Sequence, residues 1–369
     1  MTTSKRTATP DPLTLEATEV IRNDMSFAYN SLLRHRLPTA LQGAYSELLQ
    51  ALVDNVQFGQ VPDLPVHRTA TRKTVKGRVY WYWQWRANGK TIQKYIGPDG
   101  QPATAFAIQV GLQAPSREVL CAALRPVFGP ALTGPMAKIL QALGAAGLGA
   151  TPALIIGTYA FVAYQGMFAI RWPQYAMTDD LDLAATAQAE GDSVDLPLAL
   201  AKTGLGFVPA RHLDTADPAV MYVVPRTQLR VDVLTPMLGR PHHTPIALAA
   251  LNAHGAPIRY LDYLLAEPVL VAFPVGTGVL AHVPAPARYA LHKLLIAPKR
   301  VAGDKRVKDI AQATALLALL VGDDPAQVRQ AWRALKRKPA SWAAAVQEQM
   351  LAFPVDLRDE LVELLQLAR

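Results

Sequence analysis

Three aspartates carry the strongest chemical signal in the chain. Asp180 and Asp182 stand two residues apart in Asp179-Asp180-Leu181-Asp182-Leu183, and Asp232 stands alone in Arg230-Val231-Asp232-Val233-Leu234. In a strand, side chains at i and i+2 leave by the same face, so the first two carboxylates project together. Like charges so close repel, and a fold tolerates them best with divalent cations between them. A third acid beside the pair completes an oxygen cage for two Mg²⁺ ions about 4 Å apart, with Mn²⁺ as a substitute. An unpartnered buried Asp232 would cost on the order of several kcal/mol. The competing reading puts the first pair in a solvated loop and Asp232 at a water-facing sheet edge.

The elements that must position these acids are legible nearby. Asp180-Leu181-Asp182-Leu183 and residues 229–234 read as strands. Upstream, Ala153–Ile156 is a short apolar strand that runs into Gly157-Thr158 and a helical stretch to about Phe168. Such a junction offers free backbone N–H groups and a helix dipole to a phosphate, and the glycine permits close approach. Residues 139–170 carry no charge, long enough to raise a membrane span. Gly144, Gly147, Gly149, Pro152 and Gly157 interrupt the run, which fits buried helix–loop–strand–helix better. Further strands are expected over 259–283. Helices are expected over 15–57, broken by Pro38, over 116–143, and from Ala285 to the end, with loops near 298–304, 322–325 and 338–339.

These residues resemble a family. A strand ending in Gly and a small residue, then an Asp-x-Asp strand, then a third strand with one Asp, is the pattern of nucleotidyltransferases of the DNA polymerase β superfamily. The closer likeness is to bacterial nucleotidyltransferase-domain proteins related to AbiEii-type toxins. It rests on Gly157-Thr158-Tyr159-Ala160, Thr178-Asp179-Asp180-Leu181-Asp182-Leu183 and Tyr289-Ala290-Leu291-His292-Lys293-Leu294, within roughly residues 120–320. The resemblance implies that Asp180, Asp182 and Asp232 bind two Mg²⁺ ions, with Asp232 helping to activate the acceptor hydroxyl. It also implies that Gly157, Thr158, Lys293 and Asp309 serve the nucleotide. Thr158 replaces the commoner Gly or Ser, and the 50 residues from Asp182 to Asp232 require an insertion, placed at 186–220.

The second signal is charge. The chain of 369 residues has 37 Lys+Arg against 29 Asp+Glu, a net of +8. Residues 64–98 hold eight basic residues and no acid, so they account for the whole excess. Within them, residues 78–86 (RVYWYWQWR) alternate as a strand. Ala87-Asn88-Gly89 is a turn and 90–96 the return strand, while 61–66 read as a linker. Alternation puts Trp81, Trp83 and Trp85 on one face, read chiefly as core, and Tyr80, Tyr82 and Arg86 on the other. With Arg72, Lys73, Lys76 and Arg78, that second face reads as a nucleic-acid surface: bases stack on aromatics while cations track phosphates. A three-stranded basic sheet of this kind also resembles, weakly, the arm-type DNA-binding modules of tyrosine recombinases. The cluster Lys299, Arg300, Lys305, Arg306 and Lys308 reads equally as a solvated loop or as a clamp for a triphosphate or an RNA acceptor end.

Other classes find little support. Cys121 is the only cysteine, so neither an intramolecular disulfide nor a cysteine-based metal site can form. His242-His243 reads as a loop, His292 as packing or capping. There is no Gly-x-Ser-x-Gly and no P-loop motif. The polar N-terminus lacks a secretory h-region, so a cytoplasmic protein without a membrane partner is expected. The expected fold is α+β: an N-terminal helical segment (1–66), a basic aromatic β-hairpin module (67–114), a mixed-sheet polymerase-β-like palm (115–284) and a C-terminal helical domain (285–369). The expected function is transfer of an NMP from an NTP to an acceptor hydroxyl, with RNA (tRNA) favoured, in a toxin or defence context with a possible antitoxin partner. The alternative is a catalytically silent nucleic-acid-binding protein that keeps the palm fold.

Overall fold

The structure, a computed structural model, describes residues 36–57, 68–87, 89–113, 116–172, 178–210, 217–301 and 303–367. The helical spacing expected before residue 36, the linker over 61–66 and Asn88 of the expected turn lie outside the described residues.

Helix α1 (Thr39–Gln57) starts directly after Pro38, whose carbonyl accepts from Leu41 and Gln42. Strands β1 (Thr69–Val75), β2 (Arg78–Ala87) and β3 (Lys90–Pro98) form an antiparallel three-stranded sheet with β2 in the middle. Two residues with positive φ, Lys76 and Gly77, make the tight β1–β2 turn. Helix α2 (Pro102–Gln113) covers one face of this sheet. A Cβ at Gly111 would overlap the Trp83 ring, and one at Gly97 would overlap Thr104, so helix and sheet meet at glycines. The helical run expected over 116–143 divides into α3 (Arg117–Phe128) and α4 (Gly134–Ala145), because Gly129-Pro130 carries the chain into a 3₁₀ turn. Ser116 caps α3 through its hydroxyl on the Val119 N–H.

The second sheet is mixed. It contains β4 (Leu154–Ile156), β5 (Asp180–Ala184), β6 (Val208–Pro209), β7 (Met221–Val223), β8 (Arg230–Pro236), β9 (Ile246–Leu248), β10 (Ala253–Ile258), β11 (Val269–Phe273) and β12 (Val279–Val283). The main path runs β11-β12-β4-β5-β8-β10-β9, and β7 joins β8 and carries β6. Between β4 and β5 lies α5 (Gly157–Met167), whose residues Tyr159 to Gly166 are all buried. Its Tyr164 hydroxyl donates to Pro284 O at 2.7 Å, and the Phe161 carbonyl accepts from the Trp172 indole at 2.8 Å. Such partners are what a helix buried on every side requires of its polar groups. Helix α6 (Leu196–Lys202) lies in the expected insertion, and α7 (Leu261–Leu264) interrupts the strand-rich stretch after residue 259.

Among the described residues, five α-helices follow β12: α8 (Pro286–Ile296), α9 (Gly303–Asp323), α10 (Pro325–Lys336), α11 (Ala340–Met350) and α12 (Val355–Leu365). The loops between them fall where glycine and proline predict, with a further break at 351–354. Helix α8 is buried from Pro286 to Leu295 and lies against α9, α10 and α11. Among the described residues, no single helix is long and apolar enough to cross a membrane. The fold is a mixed α+β arrangement in which the second sheet and the C-terminal helices enclose one cleft.

Candidate active site

Strand register brings the acids together. Along β5, Leu181 and Leu183 are fully buried while Asp180 and Asp182 take the opposite face; along β8, Val231 and Val233 are buried while Arg230 and Asp232 take that same face. The two strands run parallel with Asp182 opposite Asp232 and Asp180 opposite Arg230. Oxygens of the three carboxylates lie within 4.8 Å of one another. An all-oxygen donor set of this kind suits a hard divalent cation such as Mg²⁺ or Mn²⁺.

Strand β4 adds the third side. It runs antiparallel to β5 with Ile156 opposite Asp182, so Gly157 follows immediately beside that carboxylate. Gly157 has φ +63, and a Cβ there would overlap Asp182 Oδ2. Both conformation and space therefore demand glycine. Burial, then repulsion from Asp180 and Asp232, pushes Asp182 up to about 6. Burial also raises Asp232, against the opposing pull of Arg230. Arg230 sits between two of the acids: Nη2 donates to Asp180 Oδ2 at 2.9 Å and Nε to Asp232 Oδ2 at 3.1 Å. Asp232 thus has a partner from its own strand. The signal was available, since Arg230 and Asp232 are i and i+2 on one strand face.

Basic groups gather at the start of α5. Lys308 on α9 donates from Nζ to Thr158 Oγ1 at 3.1 Å, and desolvation followed by repulsion from Lys293 lowers its pKa. Lys293 on α8 donates to Asp309 Oδ1 at 2.6 Å, and Arg300 donates to Asp309 Oδ2 at 2.7 Å. Asp309 is 3% exposed, so it acts as the buried anchor that holds both cations. The Tyr289 hydroxyl lies 2.9 Å from Gly157 O and 2.9 Å from Gln312. A phenol has one hydrogen, so the Tyr289 O–H serves either the Gly157 carbonyl or Gln312 Oε1, both acceptors. His292 is buried, and desolvation, with repulsion from Lys293, pushes it down to about 3, so it is neutral.

These groups line a cleft of about 610 Å³, within the range of small-ligand sites. Asp180, Asp182, Asp232, Gly157, Thr158, Lys293 and Asp309, all singled out from sequence, meet there. Of the basic cluster, Lys299, Arg300, Lys305 and Lys308 line it, whereas Arg306 donates to Gln349 at 3.1 Å. Arg230, Tyr289 and the wall of Ile258, Tyr260, Leu261 and Leu264 were not anticipated. The cleft thus combines carboxylates, cationic ends and apolar side chains, with Lys299 Nζ 5.4 Å from the Tyr260 ring centroid.

The hairpin residues divide between the two faces of the small sheet. Trp83 is buried and Trp81 donates to Asp99 Oδ1 at 2.7 Å; Arg72 stacks over Trp81, with 4.7 Å from Cζ to the ring centroid. Lys73 lies over Tyr82 at 5.6 Å, on the face that also carries Tyr80. Lys76 lies in the β1–β2 turn, and Arg78 and Arg86 are exposed near the two ends of β2.

Residues 135–336 match the family described as Nucleotidyltransferase, and residues 40–104 match a domain of unknown function, DUF6788. No curated protein matches the sequence. Among solved structures, the chain is similar to an antigenic nucleotidyltransferase-like protein from Paracoccidioides brasiliensis. The identity is 13% and the TM-score 0.30, over 57% of this chain and 89% of that one.

Proposed function

Because the chain belongs to the nucleotidyltransferase family, we propose that its acidic cleft transfers an NMP from an NTP to an acceptor hydroxyl with release of pyrophosphate. The acceptor oxygen forms a bond to the α-phosphorus as the bond from that phosphorus to the bridging oxygen breaks, and pyrophosphate leaves with the electron pair. The hydroxyl proton passes to Asp232, a carboxylate made more basic by burial. The N–H groups opening α5, with Thr158, Lys293 and Lys308, hold the triphosphate. Asp309 keeps Lys293 and Arg300 in place, and the apolar wall receives the base. Two Mg²⁺ ions, or Mn²⁺, held by Asp180, Asp182 and Asp232 would supply charge neutralisation at the transferring phosphate.

The observation that carries this reading is the meeting of three carboxylates with the Gly157–Thr158 helix start, Lys293 and Lys308 in one cleft. RNA, with a tRNA 3′ end first, is the favoured acceptor because residues 64–98 concentrate the positive charge. The same reading takes the chain as a cytoplasmic toxin or defence enzyme with an antitoxin partner, organised as the four segments proposed from sequence. The test is Mg²⁺-dependent incorporation of each α-³²P-labelled NTP into total tRNA, DNA or the protein itself, by wild type and Asp182→Asn. Labelling by wild type alone is expected. Absence of labelling in every combination overturns the enzymatic reading and leaves a silent binding protein.

A further inference from the structure

The three-stranded sheet has one closed face and one open face. Trp83 closes the first against Gly111 of α2. On the second, Tyr80, Tyr82 and Tyr95 form a cluster, with ring centroids 5.9 Å apart for Tyr80–Tyr95 and 5.6 Å for Tyr82–Tyr95. Tyr95 is 53% exposed. It reaches this face through the shift in β2–β3 register between Trp81 and Tyr82, which sets it directly opposite Tyr82. Lys73 lies over Tyr82, and Gln93 donates to Gln84 at 2.5 Å on the same face. None of the three strands contains an acid.

We infer that this tyrosine face binds single-stranded RNA, an inference that rests on the proposed transfer to an RNA acceptor. The tyrosine rings, Tyr95 exposed and Tyr80 and Tyr82 half-buried, offer π-surfaces to bases that have left a helical stack, which a duplex cannot supply. Lys73, Arg78 and Arg86 carry the charge that phosphates complement, and the paired amides of Gln84 and Gln93 supply donors and acceptors suited to 2′-hydroxyls. An acidic protein partner would satisfy the cations but leave the clustered rings unused. The face therefore holds the strand that the acidic cleft would modify, and it does so with residues that take no part in the chemistry.

The test is fluorescence anisotropy of a labelled 12-nucleotide oligouridylate with the full chain carrying Asp182→Asn, in chelator, so that no transfer intrudes. Tyr82→Ala with Tyr95→Ala is expected to weaken binding by at least about tenfold, while Tyr82→Phe with Tyr95→Phe stays within about twofold. The phenylalanine pair guards against loss of fold, because it keeps the rings and the packing. Lys73→Glu is expected to weaken binding and reduce its salt dependence. Unchanged binding in the alanine pair, or equal affinity for duplex RNA or for single-stranded DNA of matching sequence, overturns the inference. Its failure is separable from that of the enzymatic reading. Transfer activity in a protein whose tyrosine variants bind RNA normally removes only this surface. Tyrosine-dependent binding in a protein that labels nothing removes only the enzyme.

Discussion

Arg230 and Asp180 are direct partners across β5 and β8, and the guanidinium lies 2.9 Å from the carboxylate although 50 residues separate them. Through Nε the same side chain reaches Asp232, so one cation neutralises part of a three-acid cluster. Arg230 is therefore a counter-charge built into the strand, occupying part of the role a divalent cation would take.

Replacing it should change how much the protein gains from metal. Arg230→Gln is expected to melt at a lower temperature than wild type in chelator and to gain more on addition of Mn²⁺, since cation binding then relieves repulsion that the arginine no longer offsets. Thermal melts of both proteins with and without Mn²⁺ make the comparison. An equal gain in the two would show that the arginine does not compensate the acids.

Asp182 should make the metal-free protein pH-sensitive. Its folded pKa of about 6 lies above the ordinary 3.8, so the native state retains a proton that the unfolded chain releases. Stability is therefore greatest below the ordinary value, falls as pH rises toward 6, and stays lower above it, by on the order of 3 kcal/mol in total. Asp182→Asn should remove that decline and be the more stable protein at neutral pH in chelator. Its transfer activity should fall at least about a hundredfold. Urea unfolding from pH 4 to 8, beside the labelling assay, measures both.

Gly157→Ala should damage fold and site together. A positive φ costs a non-glycine residue about 1–3 kcal/mol, and the added methyl would displace the Asp182 carboxylate. Loss of stability by denaturant titration, with transfer reduced further than the stability loss explains, is the expected result.

Lys308 and Asp309 are neighbours with different duties. Lys308→Met is expected to raise KM for the NTP by about tenfold with little change in melting temperature, because Lys308 reaches Thr158 at the mouth of α5. Asp309→Asn leaves two cations without their buried anion and should destabilise the protein by about 3–5 kcal/mol. Adding Lys293→Met should recover part of that loss. A double-mutant cycle in urea reads the coupling.

Local pattern alone revealed the parts whose physics is local. The i, i+2 spacing of Asp180 and Asp182, the glycine between an apolar strand and a helix, the alternating hairpin and most C-terminal helix breaks all follow from nearest-neighbour geometry. Helix α2 escaped notice because PATAFAIQVGLQ is nearly apolar throughout and begins at a proline directly after a turn. The third strand, β1, carries a polar, basic sequence with little hydrophobic alternation, and only pairing with β2 marks it as a strand.

What the chain alone determined is which chemistry was on offer: paired carboxylates, a phosphate-sized helix start and a concentrated basic stretch. Tertiary structure decided which groups meet. The parallel register of β5 and β8 puts Arg230 among the acids, the return of α9 brings Lys308 to Thr158 across 150 residues, and the packing of α2 buries Trp83 while Tyr95 on the other face stays exposed. Contacts over such separations depend on register and packing and leave no periodic trace in any local window, so only the folded chain could reveal them.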